Sequence, residues 1–295
     1  MRPIRRGFWL SLAALMSGLA LAVPANAQAL GNGNEPQPGG VTGGGGVTAE
    51  GAAPAMPQQA NDKVAATLAW DAAMQAGDTA GAAKAADVYT ARWGGAGAGS
   101  QVMSLSVTPS LATPVSKSLG VVQVGQEKSF YCGPAAGYEI IRYLHGAGFT
   151  SRYNGNALTQ NNLANPDHMD TLARQVTDWS SGKYVFGLNR WRGNGYYVQV
   201  HAPSASLLTA VFTNSINWNG MPFSGDTVEF LNGPHYNGHP NRLIGHWITA
   251  YAYTSSGASG NWADSSTTYY PNAARYFPYN TSSFSTFLQS NGIAY

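Results

Sequence analysis

The apolar pattern of this chain changes period partway along, and that change does most to limit the folds open to it. From residue 117 onward the first half reads helical, over residues 134–145 and more loosely over residues 165–179. The second half reads as strands. Residues 196–201 alternate, and "GHWITAYAY", residues 245–253, sets Trp247, Thr249, Tyr251 and Tyr253 against Ile248, Ala250 and Ala252. A period of two is the mark of a half-buried strand. Helices first and antiparallel strands afterwards predict an α+β domain with its two kinds of element segregated. No internal repeat is visible.

The segments before this domain differ in character. Arg2, Arg5 and Arg6 precede an apolar run at residues 8–22, and "ANA" at residues 25–27 fits the small-residue cleavage rule. Residues 1–27 therefore read as a signal peptide, which predicts a secreted, extracytoplasmic protein. Arg5 and Arg6 also resemble a twin-arginine export motif, the alternative being the ordinary Sec route. Residues 28–60 are Gly- and Pro-rich and read as a linker. Residues 61–95 read as a pair of short Ala-rich helices. Asp62 caps the first and Gly77 ends it; Asp78 caps the second and Gly94 ends it. The pair either docks on the main domain or serves as a pro-segment. Residues 96–116 read as a second linker, and residues 117–295 as one domain of ordinary size.

Charge narrows the choice of partner. The chain has 16 Lys and Arg against 14 Asp and Glu, but three of the Arg belong to the signal segment, leaving 13 against 14. No Lys/Arg cluster survives, which argues against nucleic acid. No second apolar stretch reaches membrane length, so no stable membrane insertion is expected after signal removal.

Cys132 is the single cysteine of the chain. Exported proteins usually use cysteines in pairs, as disulfides. A lone one is inert and buried, an intermolecular partner, or a reactive thiol. Gly133 and Pro134 follow it, and then a helical pattern. Pro is tolerated in a first helical turn, so Cys132 falls at a helix N-terminus, where the dipole favours a thiolate.

A thiol nucleophile needs a base, a group to orient that base, and donors for the oxyanion. His246 is the best base, because it opens a strand after Gly245. Asp264 is the best orienter. "TSSGASGN", residues 254–261, reads as a hairpin turn that brings Asp264 opposite or diagonal to His246. Gln126, six residues before Cys132, is the best side-chain donor for the oxyanion, with the Cys132 backbone N–H as the second. His145 suits a helix C-terminus. His235 and His239 are four apart, but "YNG" between them and Pro234 and Pro240 beside them break any helix. Neither a metal nor another cofactor is expected.

These residues resemble a known family. "QEKSFYCGPAAG", "GHW" followed by alternating apolar residues, "WADS", and "SINWNGMPF" at residues 215–223 are similar to papain-like cysteine peptidases related to the bacteriocin-processing, double-glycine-type endopeptidases. The resemblance covers about residues 120–287. It implies a papain-like fold with N-terminal helices packed on an antiparallel sheet. It also implies a Cys132–His246–Asp264 triad with Gln126 at the oxyanion, and hydrolysis of a peptide or protein substrate through an acyl-enzyme. A related amidase or acyltransferase would use the same site, and a non-catalytic exported binding protein could keep the scaffold. Two further features bear on substrate. Tyr196, Trp191, Trp218 and Trp247 could line a subsite or belong to the core. The polar stretches at residues 189–204 and 232–242 read as loops that close over an extended polypeptide.

Overall fold

The computed structural model describes residues 57–93 and 114–295. The segment read as a signal peptide, nearly all of the stretch read as the first linker, and most of the second lie outside the described residues. What is described is an α+β unit in which helices cover both faces of an antiparallel sheet.

The helical pair is present as α1 (Gln58–Ala76) and α2 (Thr79–Trp93). Gly77 ends α1 in the left-handed conformation that favours glycine. The Asp78 side chain caps α2 by accepting the Gly81 N–H at 2.9 Å. Asp62 is not a cap. α1 begins four residues earlier, after Pro57, and Asp62 inside it pairs with Arg92 of α2.

The pair is docked on the main domain. Lys63 is fully buried, and its Nζ donates to the backbone carbonyls of Tyr196 (2.5 Å) and Tyr295 (2.8 Å). That Nζ also lies 3.6 Å from the centroid of the Tyr196 ring. Burial holds this amine well below the usual lysine range, and Arg192 adds to the effect. Either protonation state keeps the two hydrogens those carbonyls require. Trp70 packs on Trp218, with ring centroids 5.8 Å apart. Trp218 thus contacts α1, where a substrate subsite had been one option.

The sheet contains β1 (Lys117–Ser118), β2 (Gln199–His201), β3 (Phe223–Glu229), β4 (Ile244–Thr254), β5 (Ser259–Ala263), β6 (Tyr276–Asn280) and β7 (Gly292–Ala294). Its order is β2-β7-β3-β4-β5-β6, and β1 pairs with β4 beyond the end of β3. β4 and β5 form the expected hairpin. Its turn holds Ser255, Ser256 and Gly257 at positive φ. A register shift between Ala250 and Ala252 breaks the alternation along β4. A bulge of this kind moves later side chains to the other face. Tyr253 accordingly joins the Ile248 and Ala250 side of the sheet, in one cluster with Phe212, Phe223 and Trp262.

Trp247 faces the opposite cluster. There α3 (Cys132–His145) contributes Ala136, Ile140 and Ile141, and the helix Lys183–Arg192 contributes Tyr184, Leu188 and Trp191. Full burial of each large apolar side chain stabilises by about 1.5–3 kcal/mol, so this layer fixes α3 firmly against β4. The looser helical pattern at residues 165–179 forms only one turn, Thr171–Arg174. Asp170 (φ 59) and Gln175 (φ 55) are left-handed on either side of it and cannot continue a helix.

The two polar stretches are not free loops. The first carries the end of the Lys183–Arg192 helix and then β2, with Tyr196, Tyr197 and Val198 buried. The second is tied down through His239, as described below.

Candidate functional site

α3 starts at Cys132, two residues before the helix read from the sequence. Pro134 occupies its first turn, where a missing N–H is harmless. Gly133 is required for a different reason: a Cβ there would overlap the Thr177 side chain. The Thr177 carbonyl in turn accepts the Trp247 indole N–H at 2.9 Å. The segment carrying Thr177 therefore lies against the N-terminus of α3.

Cys132 is completely buried. Burial pushes its thiol up, and the Asp226 carboxylate adds in the same direction. Backbone N–H groups of Trp247, Gly133 and Cys132 itself act on the sulfur and only partly offset this. The dipole argument from the sequence had favoured a thiolate. In this closed geometry desolvation outweighs it.

His246 lies near the start of β4, opposite Thr227 of β3. The Thr227 hydroxyl donates to the His246 carbonyl at 2.9 Å. The imidazole Nε2 is 2.8 Å from Asp264 Oδ1. That oxygen also accepts the Ser266 N–H at 2.8 Å, which marks it as an ionised acceptor, so His246 Nε2 carries the hydrogen. His246 Nδ1 then bears the lone pair, and among the described residues it has no hydrogen-bond partner. The N–H of the next residue, Trp247, favours the Cys132 thiolate, but less than burial disfavours it.

Asp264 follows β5 and caps the short helix Ser265–Thr268. It is diagonal to His246 across the hairpin, in line with the sequence expectation. Its carboxylate accepts four N–H groups: His246 Nε2, the Ser266 backbone, His239 Nε2 (2.9 Å) and Asn237 Nδ2 (2.7 Å). Burial alone would raise this acid, but the positive charge that His246 carries when protonated and the hydrogen bonds from both histidines hold it well below the usual carboxylate range. Its backbone is also fixed. Gln123 Nε2 donates to its carbonyl at 2.6 Å, and its N–H reaches the Arg275 carbonyl.

Gln126 is brought to the same place but oriented otherwise than expected. Its backbone N–H donates to the Ser265 carbonyl, and its Oε1 is 3.4 Å from Ser265 Oγ. Its Nε2 donates to the carbonyls of Lys128 (3.0 Å) and Ser129 (2.8 Å). Both amide hydrogens are therefore occupied within the loop leading to Cys132. Serving an oxyanion requires that one of them be exchanged.

Sequence reasoning missed the groups behind Asp264. His239 Nδ1 is 2.6 Å from Glu229 Oε1, and its Nε2 faces Asp264 Oδ2. His235 Nδ1 is 2.9 Å from the other Glu229 oxygen. The two histidines thus meet on Glu229, at the end of β3, with no helix needed. A spacing test for helical metal ligands could not have found this, because the third member comes from another strand. His239, His246 and Asp264 place three potential metal-binding atoms within 4.8 Å of one another. The four N–H donors on Asp264 already saturate its lone pairs, so the arrangement is a hydrogen-bonded network. On α3, Glu139 is buried and raised to about 8 by desolvation, while its Oε1 accepts the Val124 N–H.

The remaining aromatic candidates are core residues. Trp247 stacks on Tyr184, with centroids 3.8 Å apart, and Trp191 and Tyr196 are buried. An open cleft near the end of the Lys183–Arg192 helix is lined by Arg152, Tyr153 and Arg190, and by none of the triad residues. No protein-family model, curated protein or solved structure matches this chain.

Proposed function

We propose that this chain is an exported cysteine peptidase with a papain-like catalytic domain. The observation that carries the reading is the polarity of His246. Its Nε2–H is committed to a buried carboxylate and its Nδ1 lone pair is unused, one residue before the Trp247 N–H that favours the thiolate of the chain's only cysteine. That is the arrangement a base needs before it takes a proton.

In the proposed reaction His246 Nδ1 takes the Cys132 Sγ proton, and the thiolate attacks the substrate carbonyl carbon. The Cys132 backbone N–H and a Gln126 amide hydrogen released from its loop stabilise the oxyanion. As the intermediate collapses the C–N bond breaks, and His246 gives its proton to the leaving amine. Water then attacks the thioester, passing a proton to His246. The C–S bond breaks, the acid leaves, and the proton returns to sulfur. Asp264 keeps the imidazole in one tautomer throughout. Because Cys132 is covered, substrate must first displace the segment around Thr177.

Mature protein incubated with a mixed peptide library tests this. Cleavage that is lost in Cys132→Ala supports the reading, and a library left intact by the unmodified protein rejects it. Transfer products formed with added amine would instead mark an acyltransferase using the same acyl-enzyme. The complete burial of the thiol is the one observation that favours a non-catalytic binding protein, and the same library experiment separates the two.

A further inference from the structure

We propose that His239, held as an imidazolium between Asp264 and Glu229, is a positioning residue that fixes the Asp264 carboxylate and offsets its charge at His246. The inference rests on the peptidase reading for its functional meaning and on donor–acceptor accounting for its structure.

His239 Nδ1 faces Glu229 Oε1 at 2.6 Å, and Nε2 faces Asp264 Oδ2 at 2.9 Å and Ser266 Oγ at 3.1 Å. Glu229 also receives the Tyr236 backbone N–H and His235 Nδ1 on its second oxygen. Asp264 receives three further N–H groups. Two carboxylates so richly supplied with donors are both acceptors. Each nitrogen of His239 must therefore donate, and an imidazole that donates from both nitrogens is a cation. Burial opposes that charge, but the hydrogen bonds and charges of Asp264 and Glu229 outweigh it and raise the imidazole to about 9.

The cation lies close to the triad, with the His239 and His246 ring centroids 5.6 Å apart. The other groups around it carry little charge that could replace it. Tyr236 and Tyr270 pack on the His239 ring, with centroids 4.6 and 5.0 Å away. Burial keeps the Tyr236 phenol un-ionised, and Arg242 donates to the Tyr270 hydroxyl. From α3, Glu139 is raised to about 8 and Cys132 is pushed up, each by its own burial. His235 is separated from Asp264 by Glu229 and His239. The row His246–Asp264–His239–Glu229 thus alternates base, anion, cation, anion. Without the cation His246 would face two uncompensated carboxylates, and its imidazolium would persist to higher pH.

Two measurements on the mature chain test this. Nitrogen-15 spectra of the ring nitrogens should show His239 doubly protonated at pH 7. The pH profile of peptide hydrolysis should differ between two variants. His239→Ala should lose turnover by about 10- to 100-fold, as expected for a charge-assisted hydrogen bond to a group that orients the base. His239→Gln keeps one N–H for Asp264 and should recover part of that loss. Its acid limb should nevertheless stay displaced upward by about one pH unit, because the amide carries no charge and the neutral His246 base then forms only at higher pH. Alkylation of Cys132 by iodoacetamide gives a pH profile without substrate. Normal alkylation with no hydrolysis would thus sink the peptidase reading while leaving this one to be judged by the limb and the spectra. A neutral His239 at pH 7, or a His239→Gln limb that coincides with the unmodified protein, overturns the proposal. Should neither variant fold, the spectra of the unmodified chain decide it.

Discussion

The indole N–H of Trp247 donates to the Thr177 carbonyl at 2.9 Å, so the strand that presents His246 also ties down the segment packed against Gly133. The backbone N–H of the same residue favours the Cys132 thiolate, though burial outweighs it. The residue after His246 thus links β4 to the segment beside the start of α3.

Iodoacetamide should therefore alkylate Cys132 more slowly in the folded protein than in the urea-unfolded chain. Replacing Thr177 with Gly should narrow the gap. Mass spectrometry over time measures both rates. Equal rates in folded and unfolded protein would show that the thiol is open in solution.

Gln126→Ala is expected to act twice. Losing an oxyanion donor should lower turnover by about 10²–10³. Losing the bonds to the Lys128 and Ser129 carbonyls should also destabilise the fold, by roughly 1–2 kcal/mol. Turnover and denaturant unfolding together check this. Unchanged turnover removes Gln126 from the oxyanion site.

Lys63 joins α1 to the main domain, so Lys63→Ala leaves the Tyr196 and Tyr295 carbonyls without their donor. We expect a loss of about 2–4 kcal/mol, read from urea unfolding. A chain starting near Ser100 should be less stable still, since it also uncovers Trp218. A truncated chain with the stability of the full one would show the helical pair to be dispensable.

His239 makes stability depend on pH in a definite direction. Its folded-state value is raised from 6.5 to about 9. A group raised on folding contributes fully below its unfolded value and loses that contribution as pH climbs through the folded one. The protein should become less stable between about pH 6.5 and 9, by on the order of 3 kcal/mol from this residue. His239→Gln should flatten the curve in that window, as measured by unfolding at a series of pH values.

Much of the site was legible because it is local. The α3 start follows from Gly133 and Pro134, and the β4–β5 hairpin follows from alternation around a Ser/Gly turn. Together they bring Cys132, His246 and Asp264 into one region. What escaped is non-local or depends on backbone detail. Glu229 meets His235 and His239 only once β3 has paired with β4. The bulge after Ala250 sends Tyr253 to the face opposite the one alternation gives it. Asp170 and Gln175 adopt positive φ without being glycine, so nothing in their type marks the break in the helical pattern. Thr177, 45 positions from Cys132 in the chain, packs against Gly133 and leaves no periodic trace.

One amine bridges very distant parts of the chain. Lys63 is separated by 133 positions from Tyr196 and by 232 from Tyr295, and it bonds to both carbonyls. During synthesis α1 is among the first segments of this unit to emerge, yet its anchor is incomplete until residue 295 has been made. Closing loops of that length carries an entropy cost that local contacts cannot offset early. Full anchoring of the helical pair therefore waits for the last strand, although contacts such as Trp70 on Trp218 can form before it. Until then the Lys63 amine lacks one of its two acceptors and the helical pair is held less firmly, an interval in which aggregation or a chaperone can compete with folding.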